Sequence, residues 1–353
     1  MRCANTESSQ VPSVATADLD CDATSTRITR RTALAAICLG ATLISSHARG
    51  AADRLRLAVQ KTGSFAWELA IIKEHELDRA ADLDLDVTEL ASTEAGQIAL
   101  MGGAADLIVT DWLWVSRERG LGRRLTLHPY SSALGALMIP GTSSIASLAD
   151  LAGKKLAVAG GPLDKSWLLL QAFAARQGID LPKRAAIVYG TPALLAEKAR
   201  EGEVDATLNF WTFCVHLEAQ GFKRLLAMED VEKSFGVAGP VAMVGYAFDE
   251  DFAGKHHDAL HRFFAITQKA KEMLAASDEP WQKLSSRIGT KDPTELALYR
   301  KAYAAGIPRR PIAEQQEDAR KLYRILAELG GAKLIGNSPD LVPGTFYMDS
   351  EVN

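Results

Sequence analysis

The stretch 150-DLAGKKLAVAGGPLDKSW-167 reads as turn, strand, loop and helix start. Gly153 punctuates the turn. Leu156-Ala157-Val158 is a short apolar run of the kind that becomes a buried parallel strand. Gly160-Gly161-Pro162 stops that strand. Asp164 is the expected N-cap of a helix that continues as SWLLLQAFAARQG. A loop of this kind leaves backbone N–H groups at a helix N-terminus, beyond the carboxyl end of a strand. Open α/β sheets bind small ligands there.

Working outward, the same pattern occurs earlier in the chain. Leu57-Ala58-Val59 recurs as Leu156-Ala157-Val158, 99 residues on. Gly103-x-x-Asp106-x5-Trp112 recurs at the same offset as Gly202-x-x-Asp205-x5-Trp211, and Trp67 recurs as Trp167 at an offset of 100. Each unit therefore runs strand, loop, Trp near a helix start, second strand and helix, then a strand ending at Trp. Such an internal repeat, with strands and helices alternating, predicts an α/β fold of two similar lobes, each a mainly parallel sheet flanked by helices. Leu125 to Ile139 is expected to form two strands around Tyr130-Ser131-Ser132. The small-residue connectors Pro140–Ser144 and Gly236–Pro240 are the expected hinge crossings. This predicts one lobe over 54–139 plus 241–330, a second over 140–240, and an irregular tail over 331–353. Asp292-Pro293-Thr294-Glu295 carries a helix-start signature: cap residue, proline at the first position, acid at the third.

The 353 residues are 47% hydrophobic and 24% charged, ordinary for a globular protein. The net charge of -4, with no basic stripe, argues against a nucleic-acid partner. Residues 1–48 read as an export signal. Arg30-Arg31 precedes the 12-residue apolar run ALAAICLGATLI, and Ser46-His47-Ala48 supplies the small residues of a cleavage site. The arginine pair matches the twin-arginine route. Of Cys3, Cys21, Cys38 and Cys214, only the last would remain after cleavage, which excludes an intrachain disulfide.

The phrases LRLAVQ, GGAADLIVT, SLADLAGKKLAVAGG, EGEVDATLNFW and VAMVGYAFDEDF resemble the periplasmic substrate-binding proteins of ABC importers, in the nitrate, sulfonate and taurine group that also contains binders of thiamine-related pyrimidines. The resemblance spans about residues 54–330, and Ser147–Lys155 is its most specific part. It implies a type II two-lobed fold with two hinge crossings, closing on a small-molecule solute for delivery to an inner-membrane permease and its ATPase. A periplasmic monomer is expected, with no cofactor and no metal. Carried over onto this chain, the ligand loops are Lys61, Thr62, Gly63 and Ser64; Thr110, Asp111 and Trp112; Gly161, Asp164, Lys165 and Ser166; and Asn209 and Trp211. Trp67 and Trp167 are added as further candidate walls. The group's cysteine-rich pyrimidine signature is absent. Indole walls suit an apolar, aromatic or cationic body. Asp111 and Asp164 suit a cation, whereas Lys61 and Lys165 suit an anion.

Signals for catalysis are sparse. Cys214-x-His216 is the one candidate nucleophile pair, and it supports an alternative reading as an enzyme of pyrimidine-synthase type. A ligand-presenting sensory module is a third reading. His257 and His261 are an i, i+4 pair that reads as a solvated helix face beside Lys255 and Asp258. Gly153-Lys154-Lys155 precedes its strand instead of following it, so it is no phosphate cradle.

Overall fold

The computed structural model describes residues 52–61 and 63–348. The expected export signal and Thr62 lie outside them. The chain opens with β1 (Asp53–Gln60), α1 (Phe65–Glu74), α2 (Leu77–Ala80), β2 (Leu83–Leu90), α3 (Thr93–Met101), β3 (Leu107–Asp111), α4 (Trp112–Gly120) and β4 (Leu125–Ser131). It continues with β5 (Ala136–Pro140), β6 (Lys155–Ala159), α5 (Lys165–Arg176), α6 (Leu181–Arg184), β7 (Ala186–Gly190), α7 (Pro192–Arg200), β8 (Ala206–Asn209), α8 (Trp211–Ala219), β9 (Phe222–Ala227) and α9 (Met228–Ser234). It returns through β10 (Val244–Asp249) and ends in α10 (Glu250–Lys255), α11 (His257–Ala276), α12 (Glu279–Ile288), α13 (Pro293–Ala305) and α14 (Ile312–Ile335).

Two five-stranded sheets result, in the orders β2-β1-β3-β10-β4 and β7-β6-β8-β5-β9. Their pairing repeats the sequence offset. Leu57 pairs with Leu107 in the first sheet and Leu156 with Ala206 in the second. In each lobe an aspartate one residue ahead of the third strand locks this register. Asp106 accepts the Arg56 N–H at 2.8 Å, and Asp205 accepts the Lys155 N–H at 2.8 Å. Gly103 and Gly202, three residues before these aspartates, have φ of 69° and 74°, which favours glycine. The conserved spacing is thus one turn built twice.

The sheets are mixed rather than wholly parallel. Each has one antiparallel strand next to its edge, and that strand is the crossing strand: β10 in the first sheet and β5 in the second. The two strands expected over 125–139 exist, but in different sheets. The first crossing is therefore Ser132–Gly135, ahead of the expected Pro140–Ser144, and Ala136–Ile139 belongs to the second lobe. A short turn suffices because Gly135 passes against the Asn209 carbonyl, where an added Cβ would lie only 1.7 Å from the oxygen. The second crossing falls between α9 and β10, across the expected glycines.

The tail is more regular than expected. α14 continues past Gly331, where φ of 56° and ψ of −163° kink it, to Ile335. Phe346 then returns to the core beside Leu127. The last two long helices tie the lobes together: α14 packs on α4 and on α5, and α13 packs on α8. Local signals hold these elements as the sequence predicts. Asp292 caps α13 through the Thr294 N–H at 3.0 Å. Ser147 and Asp150 form a reciprocal capping box that starts the turn before β6.

Candidate functional site

The four predicted ligand loops leave the carboxyl ends of β1, β3, β6 and β8. Asp111 ends β3, and its Oδ1 accepts the Trp114 N–H at 2.9 Å, capping α4. Its Oδ2 accepts a hydrogen bond from Lys165 Nζ at 2.8 Å. Lys165 opens α5, after β6 of the other sheet. The carboxyl ends of the two sheets therefore face each other, and this ion pair joins them. Asp164 caps α5 by accepting the Trp167 N–H at 3.1 Å. Burial raises its carboxyl above the usual value, against the opposing pull of Lys165 and the Trp167 N–H. Burial works to lower the Lys165 ammonium, but Asp111, Asp164 and Glu94 outweigh it and leave it raised. A second contact between the sheets' helices is aromatic: the rings of Trp67 in α1 and Trp211 in α8 meet edge to face at 5.9 Å.

Around this pair, Lys61 is exposed, and Gly63, Ser64, Gly161, Ser166 and Trp211 are half-buried. The remaining predicted contacts are turned inward. Trp112 and Trp167 are 0% and 1% exposed and belong to the core. Each lies in the first turn of its helix, and its indole packs beneath the helix instead of projecting from the loop. Trp112 sits between Tyr323 and Phe346. Trp67 is buried against Trp281 and Tyr299. Thr110 is buried and accepts from Gln97 Nε2 at 2.9 Å. Asn209 is buried; it donates to the Pro192 carbonyl at 3.0 Å and accepts the Phe210 N–H at 2.8 Å. Its polar atoms are thus used in shaping the loop. A concavity of about 460 Å³ runs between α3 and α4, lined by Glu94, Gln97, Ile98, Met101 and Trp114. Glu94, on its rim, is close enough to Lys165 for the two charges to act on each other.

Sequence reasoning missed a buried polar network behind the first loop. Lys271 donates to Glu68 Oε2 at 2.6 Å and to Tyr246 at 2.9 Å, and Tyr246 donates to the same carboxylate at 3.0 Å. Tyr303 donates to Glu68 Oε1. The Lys271 ammonium also lies 4.4 Å from the Tyr130 ring centroid, and Tyr130 shares a 2.8 Å hydrogen bond with Ser64. Burial lowers the Lys271 ammonium, with Glu68 opposing. Burial, then Glu68, pushes the Tyr130, Tyr246 and Tyr303 hydroxyls well up. The available signal was Glu68 itself, a carboxylate in the middle of an otherwise apolar FAWELAII run.

The candidate nucleophile pair does not form. Cys214 is buried, and its thiol donates to the carbonyls of Asn209 and Ala136 at 3.2 and 3.7 Å. Burial pushes it up to about 12, so the thiol is inert at neutral pH. His216 bonds elsewhere, to Glu295 at 2.7 Å and Gln220 at 2.9 Å. Among the described residues no three His, Cys, Asp or Glu side chains are grouped to hold a metal ion, and no helix is long and apolar enough to cross a membrane.

The family model described as NMT1/THI5 like matches residues 78–280, more than half of the chain. The chain belongs to the NMT1/THI5-like family. No functionally curated protein matches it by sequence. Among solved structures it is similar to the alkanesulfonate-binding protein SsuA from Xanthomonas axonopodis pv. citri bound to MOPS. That match has 19% identity and a TM-score of 0.62, covering 83% of this chain and 98% of the other. It is also similar to the periplasmic aliphatic sulphonate binding protein SsuA from Escherichia coli, at 20% identity and a TM-score of 0.63, over 82% and 97% of the two chains. The desulfurization enzyme DSZB shares the architecture at 15% identity and a TM-score of 0.55, over 79% and 92%. The fold of this NMT1/THI5-like chain is that of the periplasmic binding proteins, and the facing strand ends described above are its inter-lobe cleft.

Proposed function

We propose that this chain is a non-enzymatic solute receptor. It holds a small organic molecule between its lobes and delivers it to an ABC permease and its ATPase. It works as a monomer in the periplasm, after export by the twin-arginine route. One observation carries the reading: two sheets of the same register face each other with their carboxyl ends, and Asp111 reaches Lys165 across the gap. Family membership and the SsuA likenesses support it. Cys214 and His216, kept apart and engaged elsewhere, favour binding over catalysis. In this reading the contacts come from Lys61, Gly63 and Ser64 on one side, Gly161 and Ser166 on the other, Asp111, Asp164 and Lys165 between them, and Trp211; Thr62, outside the described residues, is proposed with them from the sequence.

The test is a thermal-shift screen of the mature chain with sulfonates, amines, pyrimidines and aromatic acids, beside mass spectrometry of whatever copurifies. A true ligand at a hundredfold excess over its Kd adds about 2.7 kcal/mol of stability. A screen without any shift, from a protein that carries no small molecule, overturns the reading.

A further inference from the structure

The chemistry around Lys165 narrows the ligand class. Its Nζ lies 2.8 Å from Asp111 Oδ2, and Asp164 and Glu94 are its next charged neighbours. The ammonium therefore pairs directly with one carboxylate and lies in the field of two more. The carboxylates are fixed in place: Asp111 by the Trp114 N–H and Asp164 by the Trp167 N–H, while Glu94 bonds Ser92 and its own backbone. The ammonium stands on a flexible four-carbon stem, and the side chain as a whole is 30% exposed. The caps of α4 and α5 each set a carboxylate oxygen on one amide of a helix terminus, the Trp114 and Trp167 N–H groups, which adds negative charge where an anion would otherwise dock. The tip of the second lobe offers apolar surface instead, from Leu163 and Phe210, 36% and 40% exposed on the loops that leave β6 and β8.

We propose that the ligand is an organic cation, an ammonium on an apolar body, whose charged group displaces Lys165 from Asp111. Lys165 is then an internal stand-in for the ligand, and it weakens apparent affinity by the fraction of time it holds the site. The proposal rests on the solute-receptor reading and specifies its substrate class.

Calorimetric titration of the mature chain tests it, with phenethylammonium and hexylammonium as probes and benzenesulfonate and hexanesulfonate as the charge-reversed set. The wild type is expected to bind the ammonium probes and neither sulfonate. Lys165→Met removes the competitor and tightens ammonium binding about tenfold. Asp111→Asn weakens it by about the same factor. Sulfonate binding that disappears in Lys165→Met overturns the proposal and leaves the receptor reading standing, with Lys165 as an anion partner. Absence of ammonium binding to Lys165→Met overturns the proposal whatever the wild type binds. If, in addition, nothing copurifies and no sulfonate binds, the receptor reading falls with it.

Discussion

In the first lobe Leu57 pairs with Leu107, and in the second Leu156 pairs with Ala206, each across the same 50-residue spacing. The framework is one design used twice, down to the aspartate that accepts an N–H from the preceding strand. What the frame carries has diverged. Trp67 and Trp167 are equivalent, yet the next residue is Glu68 in one lobe and Leu168 in the other, both buried. The first lobe thus encloses an ion pair with three tyrosines, whereas the second fills the same place with hydrocarbon. Asp111 ends the third strand of the first lobe, and exposed Phe210 stands at the equivalent point of the second. A shared backbone register tolerates this because strand pairing depends on main-chain groups, while tips and helix faces depend on side chains.

The comparison can be broken most severely at Lys271. Lys271→Met leaves Glu68 buried without its counter-ion, which costs about 3–5 kcal/mol. Urea denaturation is the measurement. Glu68→Leu with Lys271→Met copies the apolar solution of the second lobe and is expected to recover part of that loss. Recovery stays incomplete because Tyr246 and Tyr303 lose their acceptor. A double variant no better than the single would mean that the lobes are not interchangeable at this position.

The second lobe has its own buried acid, and it predicts a pH effect. Glu232 Oε1 has no hydrogen-bond partner, and burial, with Glu229 and Asp318 nearby, pushes the carboxyl up to about 8. Between its ordinary value of 4.5 and about 8 the folded chain keeps a proton that the unfolded chain releases. Stability therefore falls as pH rises through that window, by an amount on the order of a few kcal/mol. Glu232→Gln should flatten the slope of the urea midpoint between pH 5 and 8. An unchanged slope would place the titration elsewhere.

The register aspartates give a smaller, graded contrast. Asp106 also pairs with the Arg56 guanidinium and is more buried than Asp205. Asp106→Ala is expected to cost about 1–3 kcal/mol, and Asp205→Ala less. Equal losses in thermal unfolding would show that the main-chain bond alone matters. The smallest effect is expected at the α5 cap. Asp164→Ala should cost about 1 kcal/mol and raise hydrogen exchange at the Trp167 amide. Protection there at the wild-type level would show that the cap bond is dispensable.

Much of the frame was legible because local rules decide it. Leu156–Val158, Asp164 and the Asp292-Pro293 start read correctly as strand, cap and helix, since each depends on a few neighbouring residues. The 99-residue repeat exposed the equivalence of the lobes before any pairing was known. The crossing at Ser132–Gly135 was not legible, because β4 and β5 look like a hairpin until they join different sheets. The burial of the tryptophans was not legible either. Trp112 and Trp167 fall beside the loops in sequence, and only the fold shows Trp112 packed on Tyr323 and Phe346 and Trp167 buried in the core. Glu68 gave a faint signal, but its partners Lys271, Tyr246 and Tyr303 lie far along the chain.

The sequence by itself determined the alternating elements, their caps and the doubled unit, because backbone preference, apolar period and spacing act over short range. Only the tertiary structure decided which charges meet. Asp111 and Lys165 could equally have been two separate ligand groups. Folding brings them from different lobes to 2.8 Å, and each then satisfies the other.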